Sequence, residues 1–177
     1  WEMPETRYYS MSAIKLIFDN LPEAVANGDN LDAREAMAMA SYYGGLAITN
    51  ALVGYVHAVS HNLGAKYGVP HGLGNAMVLP HVLELMKGAA AEKMADIAIH
   101  AGLGDASEGQ AVLADKLVAK VRELNATIGI PETTDVIQEG DIKDLVDAAL
   151  QEGSGYPTPR YLERDECEAL VRGLMAA

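Results

Sequence analysis

Apolar residues recur at helical spacing along nearly the whole chain, and no segment has the pattern of a strong strand. Between residues 10 and 26, for example, Met11, Ile14, Ile17, Leu21 and Val25 follow a period close to 3.6. The pattern predicts helices over residues 10–26, 31–48, 50–67, 71–87, 90–101, 107–128, 141–151 and 164–175. Asn30 is a candidate N-cap of the second of these helices. We therefore expect an all-α, multi-helix bundle that forms a single domain over residues 1–177.

The composition is that of a folded globular protein, since 50% of the residues are apolar and 21% are charged. A net charge of −12 argues against binding to nucleic acid or to anionic membrane surfaces, because both require a basic face. No apolar run approaches the roughly 20 residues of a membrane-spanning helix, and no signal peptide is visible. The single cysteine, Cys167, excludes an internal disulfide and fits a reducing compartment, so we expect a cytoplasmic protein.

Three of the five histidines lie within fifteen residues, in the segment GYVHAVSHNLGAKYGVPHG at residues 54–72. His57 and His61 are four residues apart and therefore share one face of a predicted helix. His71 follows at the start of the next predicted helix. Because imidazole is a common ligand for zinc and for ferrous iron, this spacing predicts a metal pocket.

An isolated histidine pair at this spacing is more often an ordinary core or surface feature than a pair of ligands. Here Gly54 and Gly64 flank the pair and give the backbone room to approach a ligand or another helix. The neighbouring residues are apolar, so an unpaired imidazole would be costly among them. A metal ion is one way to satisfy these rings.

The histidine segment resembles the signature of the iron-containing (group III) alcohol dehydrogenases, with Ser60 where the family usually has alanine. The resemblance continues in IKLIFDNLPEAV at residues 14–25, in NAMVLPHV at 75–82 and in YPTPR at 156–160. It covers essentially the whole chain at the level of helix order. It implies the fold of that family's C-terminal helical domain, which is dehydroquinate synthase-like.

The resemblance also implies a reaction and a set of cofactors. In that family a dinucleotide-binding α/β domain precedes the helical domain, and a divalent metal, Fe2+ or Zn2+, lies between them. The implied metal ligands are His57 and His71, and the implied catalytic residue is His61, which lies beside the metal and relays a proton. The implied reaction interconverts small alcohols and aldehydes by hydride transfer with NAD or NADP, while the metal polarises the oxygen.

The chain departs from the family pattern towards its N-terminal end. The family's other two ligands, an Asp and a His four residues later, precede the region that matches Trp1, and neither Asp19 nor Asp29 has a histidine four residues on. The Gly-rich phosphate-binding turn is missing too, since GLG at residues 102–104 follows a predicted helix and is typical of a helix end. Because residue 1 is Trp, we expect a C-terminal fragment, without the dinucleotide-binding domain and inactive alone.

Two alternatives to such a fragment remain open. A naturally shortened protein would keep the scaffold as a non-catalytic helical module for interaction or oligomerisation. Alternatively, a site would be rebuilt from His57, His61 and His71, or from histidines of two subunits. A truncated domain would expose the apolar face that met the missing part, so we also expect a homo-oligomer.

The remaining candidate residues have structural interpretations. His81 lies ten residues beyond His71, about 15 Å along one helix, which is too far for one metal. His100 ends a predicted helix, where a cation meets the helix dipole favourably. Cys167 has no evident base near it in the sequence, so we expect a small buried apolar residue and not a nucleophile.

Overall fold

The computed structural model describes residues 3–176, so Trp1, on which the fragment expectation partly rests, lies outside the described part. The α-helices are α1 Pro4–Ala26, α2 Leu31–Ala51, α3 Tyr55–Tyr67, α4 His71–His100, α5 Gln110–Thr127, α6 Ile142–Gly153 and α7 Arg164–Gly173. Short 3-10 helices, Ala106–Glu108 and Glu139–Asp141, precede α5 and α6. Within residues 3–176 the only β-bridge joins Thr134 to Met175, so the predicted all-α class is confirmed. Over the same residues no helix combines the length and the apolar character needed to cross a membrane.

The described chain divides into two compact units. One comprises residues up to 52 together with residues 90–128, and the other comprises residues 53–89 together with residues from 129 onward. One of the places where the chain passes between the two units lies inside α4. There Ala90 departs from helical geometry, with φ −120° and ψ 15°. The three clustered histidines therefore belong to the second unit.

In the first unit, small residues allow α1 and α2 to pack closely. Ala33, Ala40 and Ala47 are buried at intervals of seven residues, which places them along one face of α2. The helix begins at Asn30, whose side-chain oxygen accepts a hydrogen bond from the backbone N–H of Ala33 at 3.1 Å. This capping role of Asn30 is the one predicted from the sequence.

The core of the second unit is formed by α3, the N-terminal part of α4, α6 and α7. Helix α6 is amphipathic, because its buried residues recur at intervals of about one helical turn and so form one apolar face. Its apolar face packs with residues of the other three helices in one cluster, whose members include Val59, Leu63, Met77, Val78, Ile142, Leu145, Val146, Ala149, Cys167, Leu170 and Val171.

The end of α6 approaches the start of α3 too closely for any side chain at residue 153. A Cβ atom at Gly153 would lie 2.7 Å from Cδ1 and 2.8 Å from Cζ of the Tyr55 ring. The hydroxyl oxygen of the same tyrosine accepts a hydrogen bond from the backbone N–H of Leu162 at 3.2 Å. Tyr55 therefore connects α3, α6 and the segment that leads into α7.

The YPTPR segment is held in place by Arg160. Its guanidinium donates to both carboxylate oxygens of Glu166 at 2.7 Å and to the backbone carbonyl of Leu85 at 3.1 Å. The Glu166 carboxylate also accepts from the backbone N–H of Glu163, which completes a capping box at the start of α7. The arginine thus ties this segment to α4 and α7, which gives the motif a structural role.

Several helix boundaries differ from the sequence-based expectation. Helix α1 begins six residues earlier than predicted, at Pro4, because proline suits the first turn of a helix. The predicted division between two helices near Gly88 lies two residues before the observed one, since helical geometry continues to a kink at Ala90. The predicted helix over 107–128 is interrupted at Gly109, whose φ of 84° separates the short 3-10 helix from α5.

The segment between α2 and α3 also differs. Helix α2 continues to Ala51, and Leu52 then takes a positive φ of 61°, so the predicted helical start at residue 50 is wrong and α3 begins at Tyr55. The prediction for residues 102–104 is confirmed. Gly102 has a φ of 76°, and the N–H of Leu103 donates to the carbonyl of Ala98 at 2.9 Å, which is a helix-ending turn.

Replacing Gly153 with alanine tests the contact between α6 and α3. We expect a loss of about 1–3 kcal/mol in the free energy of unfolding, because the added methyl group overlaps the Tyr55 ring. The matched control is Gly140→Ala. Nothing lies within 4 Å of the Cβ atom that this substitution adds, so the free energy of unfolding should change little. Urea denaturation followed by circular dichroism measures both values, and equal stabilities would contradict the described packing.

A second stability prediction concerns the ion pair between Arg160 and Glu166. The Arg160 guanidinium, and next the backbone N–H of Glu163, lower the pKa of Glu166 from 4.5 to about 2. A lowered carboxyl pKa stabilises the fold above the unfolded-state pKa, and this stabilisation is lost as the pH falls towards 2. Glu166→Gln should therefore lower the melting temperature at pH 7, and the difference from the unsubstituted chain should narrow between pH 4.5 and pH 2.

The control for that experiment is Glu168→Gln, which removes an exposed pair with Arg172 one helical turn away. An exposed pair contributes little to stability, so this variant should melt close to the unsubstituted chain. A difference between Glu166→Gln and the unsubstituted chain that stayed constant with pH would rule out the assigned role of the ionised carboxylate.

Candidate metal centre

The turn between α3 and α4 brings His71 back beside the two histidines of α3. Helix α3 ends at Gly68, which adopts the left-handed conformation with a φ of 71°. The chain then folds back closely, since a Cβ at Gly64 would lie 3.3 Å from the carbonyl oxygen of Val69. The close backbone approach that the sequence predicted at Gly64 is therefore made by the turn between α3 and α4.

The three imidazole rings form a compact triangle. The ring centroids of His57 and His61 are 5.5 Å apart, and each of these rings lies 5.3 Å from the ring of His71. The rings of His61 and His71 are stacked with an interplanar angle of 22°. The sequence-predicted site residues are therefore together in space, on two helices of one unit.

Two of the ring nitrogens point to the same side chain. The side-chain amide nitrogen of Asn75, one turn beyond His71 on α4, lies 3.3 Å from Nε2 of His57 and 3.0 Å from Nε2 of His71. An amide N–H2 group only donates, so both Nε2 atoms present a lone pair there. Two imidazole lone pairs directed at one side chain could supply two of the ligands of a divalent transition metal.

The environment of these rings favours the neutral form of His57. Burial, and after it the neighbouring rings of His61 and His71, lower the pKa of His57. The neutral ring keeps a lone pair that a protonated ring lacks. The amide oxygen of Asn75 is buried and has no hydrogen-bond partner among residues 3–176, which is unusual for a buried polar atom. The residues therefore fit a bound cation.

His61 has a different set of partners. Its Nδ1 atom lies 2.6 Å from Oε1 of Glu152 on α6, and the hydroxyl group of Tyr156 donates to the same carboxylate oxygen at 2.8 Å. The carboxylate, through this hydrogen bond first, raises the pKa of Tyr156. The middle histidine is thus set apart from the other two by a carboxylate that comes from a distant part of the chain.

Sequence reasoning missed both Asn75 and Glu152. Asn75 was recoverable, because it follows His71 by four residues and so lies on the same helical face. Glu152 is 91 residues from His61, and no local spacing could have linked the two.

Ser60, the residue that departs from the usual alanine of the family signature, joins the two helices of the site. Its side chain is almost fully buried, and its hydroxyl group donates to the backbone carbonyl of His71 at 3.3 Å. It faces Gly74 of α4, where a Cβ would lie 3.4 Å from the Cβ of Ser60. The serine therefore helps to fix the start of α4 against α3.

The remaining two histidines lie elsewhere. His81 lies near Gly173 of α7, and His100 occupies the last turn of α4, in the first unit. In the described part of the chain, no group of three or more His, Cys, Asp or Glu side chains is arranged to hold a metal ion. The alternative of a complete site rebuilt from the chain's own three clustered histidines is therefore unsupported.

The family of the chain follows from comparison with known proteins. The family model described as Fe-containing alcohol dehydrogenase family, C-terminal, matches residues 2–175. The chain therefore belongs to the Fe-containing alcohol dehydrogenase family and corresponds to its C-terminal, all-α domain. The family resemblance inferred from the histidine signature is confirmed.

Individual relatives agree with this assignment. The chain is 42% identical over 171 residues to the 1,3-propanediol dehydrogenase of Klebsiella pneumoniae, with 96% of this chain and 44% of that protein covered. It is 32% identical to the NAD-dependent methanol dehydrogenase of Bacillus methanolicus, with 97% and 46% covered. A crystal structure of a 1,3-propanediol oxidoreductase superposes with a TM-score of 0.92 and 40% identity, with 98% and 46% covered. The chain thus spans less than half the length of these relatives.

Cys167 is buried in the core of the second unit, as the sequence predicted. Burial raises the pKa of its thiol to about 11. The thiol is therefore almost wholly protonated at neutral pH, and a protonated thiol is a poor nucleophile.

Alkylation measures this directly, because Cys167 is the only cysteine. At pH 8 the native chain should react with iodoacetamide at least about 100-fold more slowly than the chain in 6 M guanidinium, since both the thiolate fraction and access are reduced. Mass spectrometry follows the adduct. Similar rates in the two conditions would show that the thiol is accessible and reactive.

Proposed function

We propose that this chain is the metal-binding half of an NAD(P)-dependent alcohol dehydrogenase that interconverts small alcohols and aldehydes. The observation that carries the proposal is that Nε2 of His57 and Nε2 of His71 both approach the same amide nitrogen of Asn75. Membership of the Fe-containing alcohol dehydrogenase family supports the same reaction class.

In this proposal His57 and His71 hold Fe2+ or Zn2+ through their Nε2 atoms. When bound, the cation supplies Lewis-acid polarisation of the alcohol or carbonyl oxygen. Two histidines are fewer than the three protein ligands of a typical catalytic zinc site, so the remaining ligands come from another part of the enzyme. His61, which lies beside both ligands, accepts or returns the proton of the alcohol hydroxyl group.

The coenzyme belongs to the same proposal. Hydride transfer requires NAD or NADP, so an enzyme of this kind needs a dinucleotide-binding domain in addition to the helical domain that these residues form. The printed names of the relatives, a propanediol and a methanol dehydrogenase, support a small alcohol or aldehyde as the substrate. We also propose a cytoplasmic homo-oligomer, which is consistent with the single reduced cysteine.

A second candidate function is a non-catalytic helical module for interaction or oligomerisation. One feature of the first unit favours it. Four tyrosines of α1 and α2 are in mutual ring contact, and two of them, Tyr8 and Tyr42, have 62% and 61% of their surface exposed. Exposed aromatic clusters are common where proteins associate.

Metal titration separates the two functions. We expect the metal-free chain to bind one Zn2+ per chain at pH 7.5 in isothermal titration calorimetry. His57→Ala and His71→Ala should each weaken binding at least about tenfold, because each removes a direct ligand and even indirect partners are worth this much. Fe2+ under anaerobic conditions should follow the same order.

The matched control is His100→Ala, which removes an exposed histidine of the other unit and should leave the affinity unchanged. Circular dichroism verifies that each variant is folded. An absence of stoichiometric metal at neutral pH, or equal affinities in all four chains, would favour the interaction module.

A further inference from the structure

We propose that Glu152 is a positioning residue that holds His61 in the tautomer with its proton on Nδ1. This leaves the lone pair of the Nε2 atom as the ring's acceptor. A catalytic role for this tautomer rests on the proposed function. The hydrogen bond to Glu152 and the tautomer that it selects do not depend on that function. Glu152 lies on α6, outside the histidine signature.

The hydrogen bond determines the tautomer. A carboxylate only accepts hydrogen bonds, so at 2.6 Å the Nδ1 atom of His61 must be the donor to Oε1 of Glu152. A neutral imidazole carries one ring proton, and the Nε2 atom is then unprotonated. An unprotonated ring nitrogen is what a group needs in order to accept a proton from a hydroxyl group.

A second donor limits the movement of the carboxylate. The Tyr156 hydroxyl group donates to the same Oε1 atom at 2.8 Å. A phenol with a raised pKa stays protonated and so keeps donating to this oxygen at neutral pH. Two donors on one oxygen fix its position better than one donor does.

The core of the second unit fixes the backbone that carries this carboxylate. Residue 153, the next along the chain, is the glycine that lets α6 lie against the Tyr55 ring of α3. His61 is on the same helix as Tyr55, six residues further on. The packing of α6 on α3 therefore sets the distance between the two backbones that carry the carboxylate and the imidazole, while the His61 side chain itself is 40% exposed.

The ring of His61 also contacts the rings of both candidate metal ligands. Its ring stacks on that of His71 and meets that of His57 edge-on, with an interplanar angle of 72°. A ring flip would put the Cδ2 atom in the place of Nδ1 and so break the bond to Glu152. The carboxylate therefore selects both the tautomer and the orientation of the ring.

Nitrogen-15 NMR of histidine-labelled, metal-free chain at pH 9 reads the tautomer directly, and His61→Gln assigns the signals. We expect His61 in the unsubstituted chain to be protonated on Nδ1. In Glu152→Ala the ratio of the Nε2–H to the Nδ1–H tautomer should rise about tenfold or more, because a charge-assisted hydrogen bond is lost. The signal of His81, which belongs to the same unit but lies near Gly173, should keep its shift, which a general loss of structure would not allow.

Three further variants act as controls. Glu152→Gln retains a carbonyl acceptor and should restore most of the Nδ1–H tautomer, while Tyr156→Phe should preserve it because Oε1 still accepts from the ring. Gln151→Ala changes the exposed neighbouring residue and should have no effect.

The same samples separate this inference from the proposed function. His61 protonated on Nε2 in the unsubstituted chain, or unchanged His61 signals in Glu152→Ala, would overturn the positioning role even if Zn2+ binds. Conversely, the expected tautomer shift without any Zn2+ binding would uphold the positioning role and reject the metal-dependent function. If Glu152→Ala does not fold, the tautomer of the unsubstituted chain still decides the question, together with Glu152→Leu, which keeps the bulk of the side chain without an acceptor and should show the same tautomer shift.

Discussion

The contact of Gly153 with the ring of Tyr55 is the constraint on which the second unit depends. Because residue 153 has no side chain, α6 lies directly on α3, and the tyrosine hydroxyl group is left to accept a bond from the segment before α7. The carboxylate of Glu152 reaches His61 as a consequence of this contact. Core packing and the chemistry of the site are therefore two results of one close approach between helices.

The histidine cluster is partly exposed, since His61 and His71 lie at the surface, and its polar groups are satisfied only in part. Asn75 donates to two imidazoles, yet its own amide oxygen is buried without a partner in the described chain. Burial of this kind is unfavourable for a structure that serves only stability. It is the arrangement expected at a functional site, where some local stability is given up for binding.

The periodicity of apolar residues was sufficient to predict the all-α class, the capping role of Asn30 and the helix end at Gly102. The same periodicity misplaced several helix boundaries. They fall where the conformation of a single residue depends on its tertiary surroundings. Gly88 was taken as a helix end, although one exposed glycine costs a helix only about 1 kcal/mol. The break instead falls at Ala90, a residue with high intrinsic helix propensity, so local preference could not have located it.

The sequence alone determined which residues share a helical face, and this was enough to pair His57 with His61 and to place His71 at the next helix start. It also determined the family, because the spacing of these letters is specific. Only the tertiary structure decided that Glu152, which also accepts a hydrogen bond from Tyr156, meets His61, since this contact depends on how α6 packs against α3. Contacts across many residues follow from packing, and packing is a property of all the side chains in a core together.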